Sequence, residues 1–344
     1  MDNLSISSFT RRKRNRYMLV MTVLAALVAI VFIMSMNTGY IRLSPIEMLR
    51  TLLGQGTDRQ NLILFEFRLP RMVISILIGA GLAVSGCVMQ GLSRNALADP
   101  GILGINAGAG IMVMLFISFY PTTVSAPVFL LPMLALFGAG LTAVLIYLLA
   151  YKRHQGLSPT RLLLSGIGVA AGISAAMIVL TLRLSPDKYQ FVATWLAGSI
   201  WGTNWKFVLS LLPWIIVLLP YVWYKAQVLN ILSLGEHTAT GLGARVAKEQ
   251  LLLIAAAVGL AASSVAVSGG IGFVGLIGPH LARRLVGQKH QTLLPTVAMT
   301  GALLVLAADT IGRTIVQPSE IPTGIVVAII GAPYFLYLLA RSRG

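Results

Sequence analysis

Charged and polar positions are sparse along this chain, and the gaps between them define its elements. Residues 17–36, 72–93 and 162–182 are free of charge, and each run reaches the ~20 residues that a helix needs to cross a ~30 Å hydrocarbon core. No charge occurs anywhere between residues 100 and 151. That run is too long for one helix and predicts two spans, broken near Pro121 and Pro132. In lipid the backbone must satisfy its own hydrogen bonds, so spans of this composition are helices. Continued along the chain, the pattern predicts ten spans, near 17–36, 72–93, 103–120, 127–150, 161–182, 205–224, 250–268, 271–286, 291–312 and 322–340. The third and eighth are short and rich in glycine. Residues 188–204 are too short and too broken to cross, and read as an interfacial or re-entrant segment with Trp195 and Trp201 at headgroup level.

Composition agrees with this pattern. Hydrophobic residues make up 57% of the chain and charged residues 10%, against roughly 25% charged in soluble proteins. The fold class expected is therefore an all-α polytopic membrane protein with about ten transmembrane helices. One transmembrane domain, 17–340, lies between a basic tail at 1–16 and a short tail at 341–344. A net charge of +16 raises the question of nucleic acid, but the basic residues sit at the ends of apolar runs, which is a topology signal. With the N-terminus in the cytoplasm, seventeen Lys and Arg fall on the cytoplasmic side and nine outside. An even number of spans then places both termini inside. The RRKRNR stretch before the first run also resembles the start of a signal peptide. The apolar core that follows exceeds the roughly 7–15 residues of such peptides and has no evident cleavage site, so it reads as a span.

Candidate chemistry is thin. There is no P-loop, no HExxH and no CxxC. The single cysteine, Cys87, excludes a disulfide within the chain and reads as a small core residue. The four histidines lie near span ends and do not form a metal site. Asp309 is the one acid within a predicted span, near the outer end of span nine. Ion-coupled transporters usually carry ionisable groups at mid-membrane, so this distribution weakens that reading, although backbone carbonyls also bind sodium. A membrane-embedded enzyme would need clustered His, Asp, Glu or Ser within spans, and none is seen. Neither a metal nor a cofactor is expected on this chain. Three small-residue runs, GAGLAVSG at 79–86, SGIGVAAGISAA at 165–176 and GLAASSVAVSGG at 259–270, fit either close helix packing or the lining of a path.

Three polar constellations remain. In FEFRLPR, at 65–71, Pro70 is expected to end the preceding structure and start a helix, with Arg68 and Arg71 beside its outer end. Arginine is unfavourable at a helix N-terminus, so both need partners. Lipid headgroups and an acidic protein surface are alternative partners. In SRNALADPGILGINAGAG, at 93–110, Asn95 stands 27 residues beyond Arg68, roughly 40 Å along a helix, which puts it at the inner face. Asp99-Pro100-Gly101 reads as a turn, either an ordinary loop or a constriction. The third, LNILSLGEHTATGLGARV at 229–246, is the longest polar connection on the cytoplasmic side. Gly235, Gly241 and Gly243 break it into short helical pieces, suited to a linker or to docking of a cytoplasmic partner.

These segments, in this order, resemble the FecCD-type permeases of ABC importers for iron–siderophores, haem and vitamin B12. The resemblance runs from about residue 40 to the end. It is carried by RLPR (68–71), SGCVMQGLSRNALADPGILGINAGAG (85–110), TRLLLSGIGVA (160–170), LSLGEHTATGLG (232–243), SGGIGFVGLIGPHLARRLVG (268–287), ADTIGRTI (308–315) and EIPTGIVVAIIGAPYF (320–335). It implies a vitamin B12 importer permease-like bundle in the bacterial plasma membrane, a transporter subunit with no enzymatic site of its own. It further implies a second permease subunit, identical or related, a cytoplasmic ABC ATPase dimer that binds ATP-Mg, and an extracytoplasmic substrate-binding protein. By the resemblance, Arg68, Arg71 and Arg313 receive acidic residues of the binding protein. Leu232, Leu234, Gly235, Glu236, Ala239, Leu242 and Gly243 match the segment that couples to the ATPase. Asn95 and Leu97 match an inner gate, with Ala96 where relatives often carry proline. Ser158 and Thr160 fall near a second gate, and Ser165 on the path. Siderophore cargo is expected because such systems are numerous in the family. Vitamin B12 or haem is the alternative cargo, and an ion-coupled secondary transporter the alternative class.

Overall fold

Long apolar runs give long helices. The structure, a computed structural model, describes residues 2–38, 44–101, 104–120, 129–152, 156–157, 159–317 and 319–341. Helices occupy all ten predicted span positions: α1 (Asp2–Asn37), α4 (Leu69–Ser93), α5 (Ile105–Phe119), α6 (Leu130–Ala150), α7 (Pro159–Thr181), α9 (Trp205–Tyr224), α12 (Val246–Ser268), α13 (Val274–Val286), α14 (His290–Ile315) and α15 (Thr323–Arg341). Among the described residues, seven of these are long and apolar enough to cross a membrane alone, while α5 and α15 offer shorter apolar stretches and α13 has 13 residues. Short helices connect them: α2 (Pro45–Leu52), α3 (Asp58–Asn61), α8 (Pro186–Leu196), α10 (Ala226–Ser233) and α11 (Glu236–Gly241). A two-residue antiparallel pair, β1 (Tyr151–Lys152) and β2 (Gly156–Leu157), precedes α7. The basic tail is helical and continuous with the first span.

The bundle is built around α4, which packs on α9, α12, α13 and α14. Its best apolar window is 83% buried, against 11% for α1 and 17% for α7, so α4 is central and α1 and α7 are peripheral. Small residues make this centre possible. Where α4 crosses α14, a Cβ on Gly79 would run into the backbone of Gly301 and lie 2.9 Å from the Cα of Ala302. Gly86 meets the backbone of Gly275 on α13 in the same way. Lipid supplies no hydrophobic drive to helix association, so this close approach and its dispersion contacts replace it. Gly301→Leu is accordingly expected to lower stability by about 3 kcal/mol, the upper part of the usual overpacking range. Gly140→Leu, with nothing within 4 Å of its Cβ, is expected to change it little. Denaturant titration of the two purified variants in detergent compares them.

Pro70 does not end the preceding structure. Residues Leu62–Arg68 form a π-helical segment that runs straight into α4, with the Leu69 N–H reaching the Leu64 carbonyl. A proline ring collides with the carbonyl four residues back in a regular α-helix. The wider π turn removes that collision, and such turns also re-aim side chains. Here it helps turn Arg68 into the bundle.

The broken stretch 188–204 holds α8, which packs against α5, followed by a loop. Trp201 is exposed (73%), whereas Trp195 is buried (9%) and its carbonyl lies against Gly269. Trp195 is thus a packing residue and not a headgroup anchor.

Candidate functional site

The two ends of α4 carry the two halves of the candidate site. At its start, Arg71 donates from Nη2 and Nε to Asp309 Oδ1 on α14 (2.9 and 3.0 Å) and from Nη1 to Glu320 (2.8 Å). Asp309 is 1% exposed. Its Oδ1 also accepts from the Thr323 hydroxyl at 3.2 Å, and its Oδ2 forms an ion pair with Arg313, whose Nε stands 3.2 Å away outside hydrogen-bond geometry. Arg313 Nη2 donates to Ser35 Oγ, and Arg68 Nη1 to the Met36 carbonyl, both on α1. The partners that these arginines need are therefore found within the chain. Arg68 and Arg313 are buried (each 6%), and the Arg71 side chain is 12% exposed. Four spans, α1, α4, α14 and α15, are clasped at this end. Arg71 and Glu320 border a cavity of about 310 Å³ beside Thr194, Ser199 and Trp201.

At the far end of α4, the chain turns through Arg94 in a left-handed conformation (φ 51°). Asn95 Oδ1 accepts from the Leu97 N–H (2.9 Å), and Asp99 Oδ1 from the Gly101 N–H (2.6 Å). Both are local side-chain caps of the kind that Asn and Asp favour in turns, and the second is the turn expected at 99–101. Leu97 is 41% exposed.

Next to this turn lies the segment of α10 and α11. Gly235 joins them at φ +108°, and a Cβ there would stand 3.2 Å from Arg94 Nη1, so the Arg94 side chain lies beside the α10–α11 junction. Ala239 is fully buried and Leu232 nearly so, while Leu234 and Leu242 are each 61% exposed. Gly243 closes α11 with φ +81°. The segment is tied to α12 at its start and at its middle: Lys225 Nζ donates to both Glu249 oxygens (2.9 and 2.8 Å), and Gln250 donates to Glu236 (3.2 Å). The hydrogen bond to Glu249 holds the Lys225 ammonium above its ordinary pKa. A rigid seat with two outward leucines results. Among the described residues, no group of three or more His, Cys, Asp and Glu is placed to hold a metal ion.

The model of the FecCD transport family matches residues 27–341. This chain belongs to the FecCD transport family. It is 50% identical over 337 residues, 97% of the chain and 100% of the relative, to the iron(3+)-hydroxamate import system permease protein FhuG of Bacillus subtilis (strain 168). It is 38% identical over 289 residues, 84% of the chain and 88% of the relative, to the Fe(3+) dicitrate transport system permease protein FecD of Escherichia coli (strain K12). Among solved structures, a metal-chelate type ABC transporter in an inward-facing conformation is similar with a TM-score of 0.82 at 33% identity, covering 94% of this chain and 99% of the other. The protein is thus a multi-pass membrane protein of an ABC permease family.

Within this FecCD chain the three small-residue runs part ways. Those on α4 and α12 are buried in the bundle. The one on α7 faces outward, with open space around Gly168 and Gly172. Ser165 is half-buried and Thr160 exposed on the same helix. Ser158 lies outside the described residues. The sequence reading did not pair Asp309 or Glu320 with the arginines. The first was legible, because Asp309 and Arg313 stand four apart on one helix face. The reach of α1 to Arg68 and Arg313 left no local signal.

Proposed function

We propose that this chain is the membrane-spanning permease subunit of a bacterial ABC importer for an iron(III)–siderophore chelate, driven by ATP hydrolysis on a separate subunit. The observation that carries the proposal is full-length identity of 50% with a permease of iron(3+)-hydroxamate import. In this reading a binding protein delivers the chelate at the outer end, where Arg71 and Glu320 border the cavity and Arg68 and Arg313 hold Arg71's surroundings in place. The ATPase pair engages the opposite end through Leu234 and Leu242, around Glu236. Closure of the ATPases pushes α10 and α11, and the contact of Gly235 with Arg94 passes the push to the turn of Asn95 and Leu97. That turn gates the inner mouth, with Ser158 and Thr160 near a second constriction. The chelate moves past Ser165 along α7, between this chain and a second permease subunit. The iron stays in its chelator, and no covalent step is needed.

The test is reconstitution with the ATPase and binding protein encoded alongside, in liposomes, followed by radioactive iron uptake from a ferric hydroxamate. Uptake that requires ATP and the binding protein supports the proposal. Uptake of haem, ferric citrate or vitamin B12 in its place would keep the ABC reading and replace the cargo. Uptake driven by an ion gradient without ATP would overturn both.

The α7 face gives a sharper expectation. Gly168→Leu/Gly172→Leu adds bulk where this chain has open space, so the stability of the isolated chain is expected to stay within about 0.5 kcal/mol, as for other outward substitutions. Uptake is expected to fall at least about tenfold, because two bulky side chains would hold a partner helix off a small-residue face. Unchanged uptake would remove α7 from the path and the pairing surface.

A further inference from the structure

The start of α14 is held by other helices more than by its own. Its first residue, His290, follows Lys289, whose side chain makes no cap. The acceptor comes from α10: Asn230 Oδ1 receives the His290 N–H (3.0 Å) and stands 2.8 Å from His290 Nδ1. Asn230 Nδ2 donates to Gln291 Oε1 (2.8 Å). Little more than one turn on stands Pro295. Proline has no N–H to return to the carbonyl four residues back, and here that carbonyl belongs to Gln291. Trp223 on α9 fills the gap, its indole Nε1 donating to the Gln291 carbonyl at 3.1 Å. The uncapped donor and the acceptor that Pro295 leaves open are thus both satisfied by side chains of α9 and α10.

Residues 290–294 lie between two breaks. Before them Gly287 ends α13 with φ +86° and open space around it. After them comes Pro295, followed by Thr296, whose hydroxyl donates to the Thr292 carbonyl (2.8 Å) in a bond of the kind that bends helices. Beyond this point α14 belongs to the bundle centre: Thr296 is buried, and Gly301 lies against the backbone of Gly79. On the α4 side, a Cβ added to Gly91 would stand 3.3 Å from His290 Nε2 and 3.8 Å from Leu229 Cδ2 of α10, so His290 and α10 share one side-chain-free patch of α4. From this arrangement we infer that the first turn of α14 moves with the α10–α11 segment, and that Pro295 is the hinge that separates it from the rest of the helix. What drives the motion rests on the importer reading. A push on α10 and α11 then carries His290 across Gly91 without shearing the close crossing of α4 and α14 at Gly79 and Gly301. An unbroken ladder of bonds four residues apart would resist that bend, and a few residues at an element's end are enough to absorb it.

Two readouts keep the hinge and the importer reading apart. Hydrogen exchange of the full chain in detergent, followed by mass spectrometry, reads the hinge alone. ATP-driven iron uptake in the reconstituted liposomes reads its use. Asn230→Ala is expected to speed exchange over residues 290–294 about fivefold, the factor that corresponds to a lost helix cap of about 1 kcal/mol, with 296–315 unchanged. Asn230→Asp keeps the acceptor and is expected to hold the wild-type rate. Pro295→Ala completes the ladder. Its exchange over 290–294 is expected to slow and its denaturant midpoint not to fall, while uptake drops about tenfold, within the usual range of coupling between sites. Pro213→Ala completes the ladder at an exposed position of α9 and is expected to leave uptake intact. Uptake by Pro295→Ala at the wild-type rate would overturn the hinge. So would faster exchange in Asn230→Ala that extends equally over 290–294 and 296–315. A wild-type chain without ATP-driven uptake would refute the importer reading instead, and the exchange pattern would then decide the hinge.

Discussion

Asp309→Ala is expected to destabilise the folded chain by about 4 kcal/mol, within the 3–5 kcal/mol typical of removing one partner from a buried ion pair. Among the described residues Asp309 is the one fully buried acid at the outer end, and two guanidinium groups converge on it. Without it, Arg313 is left buried without its acid, and Arg71 keeps only the partly solvated Glu320. Glu320→Gln removes a carboxylate whose side chain is 32% exposed, and its loss is expected to stay below about 1 kcal/mol, as for other partly solvated pairs. Replacing the pair together, as Arg71→Met/Asp309→Leu, is expected to recover part of the loss, because well-packed apolar groups often match a buried pair. Denaturant titration in detergent reads all three. If Asp309→Ala unfolds with the wild-type midpoint, the clasp of α4, α14 and α15 is incidental, and the convergence of the arginines has no structural role.

The clasp also marks how far the sequence could be read. The spans were legible because a charge-free run of sufficient length has few alternatives in lipid, and helices stand at all ten predicted positions. The turns were legible where one residue enforces them, as Gly235 does at φ +108° and Asp99 does with Gly101. Less legible was anything that depends on which helices meet. RLPR announced two arginines at a helix start but not their direction, because the π segment before Pro70 rotates Arg68 inward. The three small-residue runs look alike in composition, yet two pack α4 against its neighbours and the third faces out from α7. Periodicity shows that a helix has a small face, and only the bundle shows whether that face is already occupied. The capping boxes at Ser44 with Glu47 and Thr57 with Gln60 lay in plain view as S-x-x-E and T-x-x-Q, because that signal is local.

The same distinction between occupied and unoccupied faces fixes the second large expectation. In the α10–α11 segment, Leu232 and Ala239 point into the chain while Leu234 and Leu242 point out. If the outward pair seats in an ATPase, each leucine buries an apolar side chain worth about 2 kcal/mol. Leu234→Glu/Leu242→Glu is then expected to weaken ATPase association by about 1,000-fold, since about 4 kcal/mol is lost. Uptake should fall to background, while the denaturant midpoint of the isolated chain stays where it was. Leu234→Met/Leu242→Met keeps an apolar surface and should retain both association and uptake. Ala239→Leu makes the opposite case: it crowds a fully buried position and should lower stability first, with uptake lost only in consequence. An ATPase that still co-purifies with the double glutamate variant, with uptake intact, would show that these leucines face lipid or water in the assembled transporter. The push on Gly235 and Arg94 would then have to enter through a different surface. Loss of uptake with association intact would place the defect after docking, in the contact between the α10–α11 junction and the turn that carries Asn95.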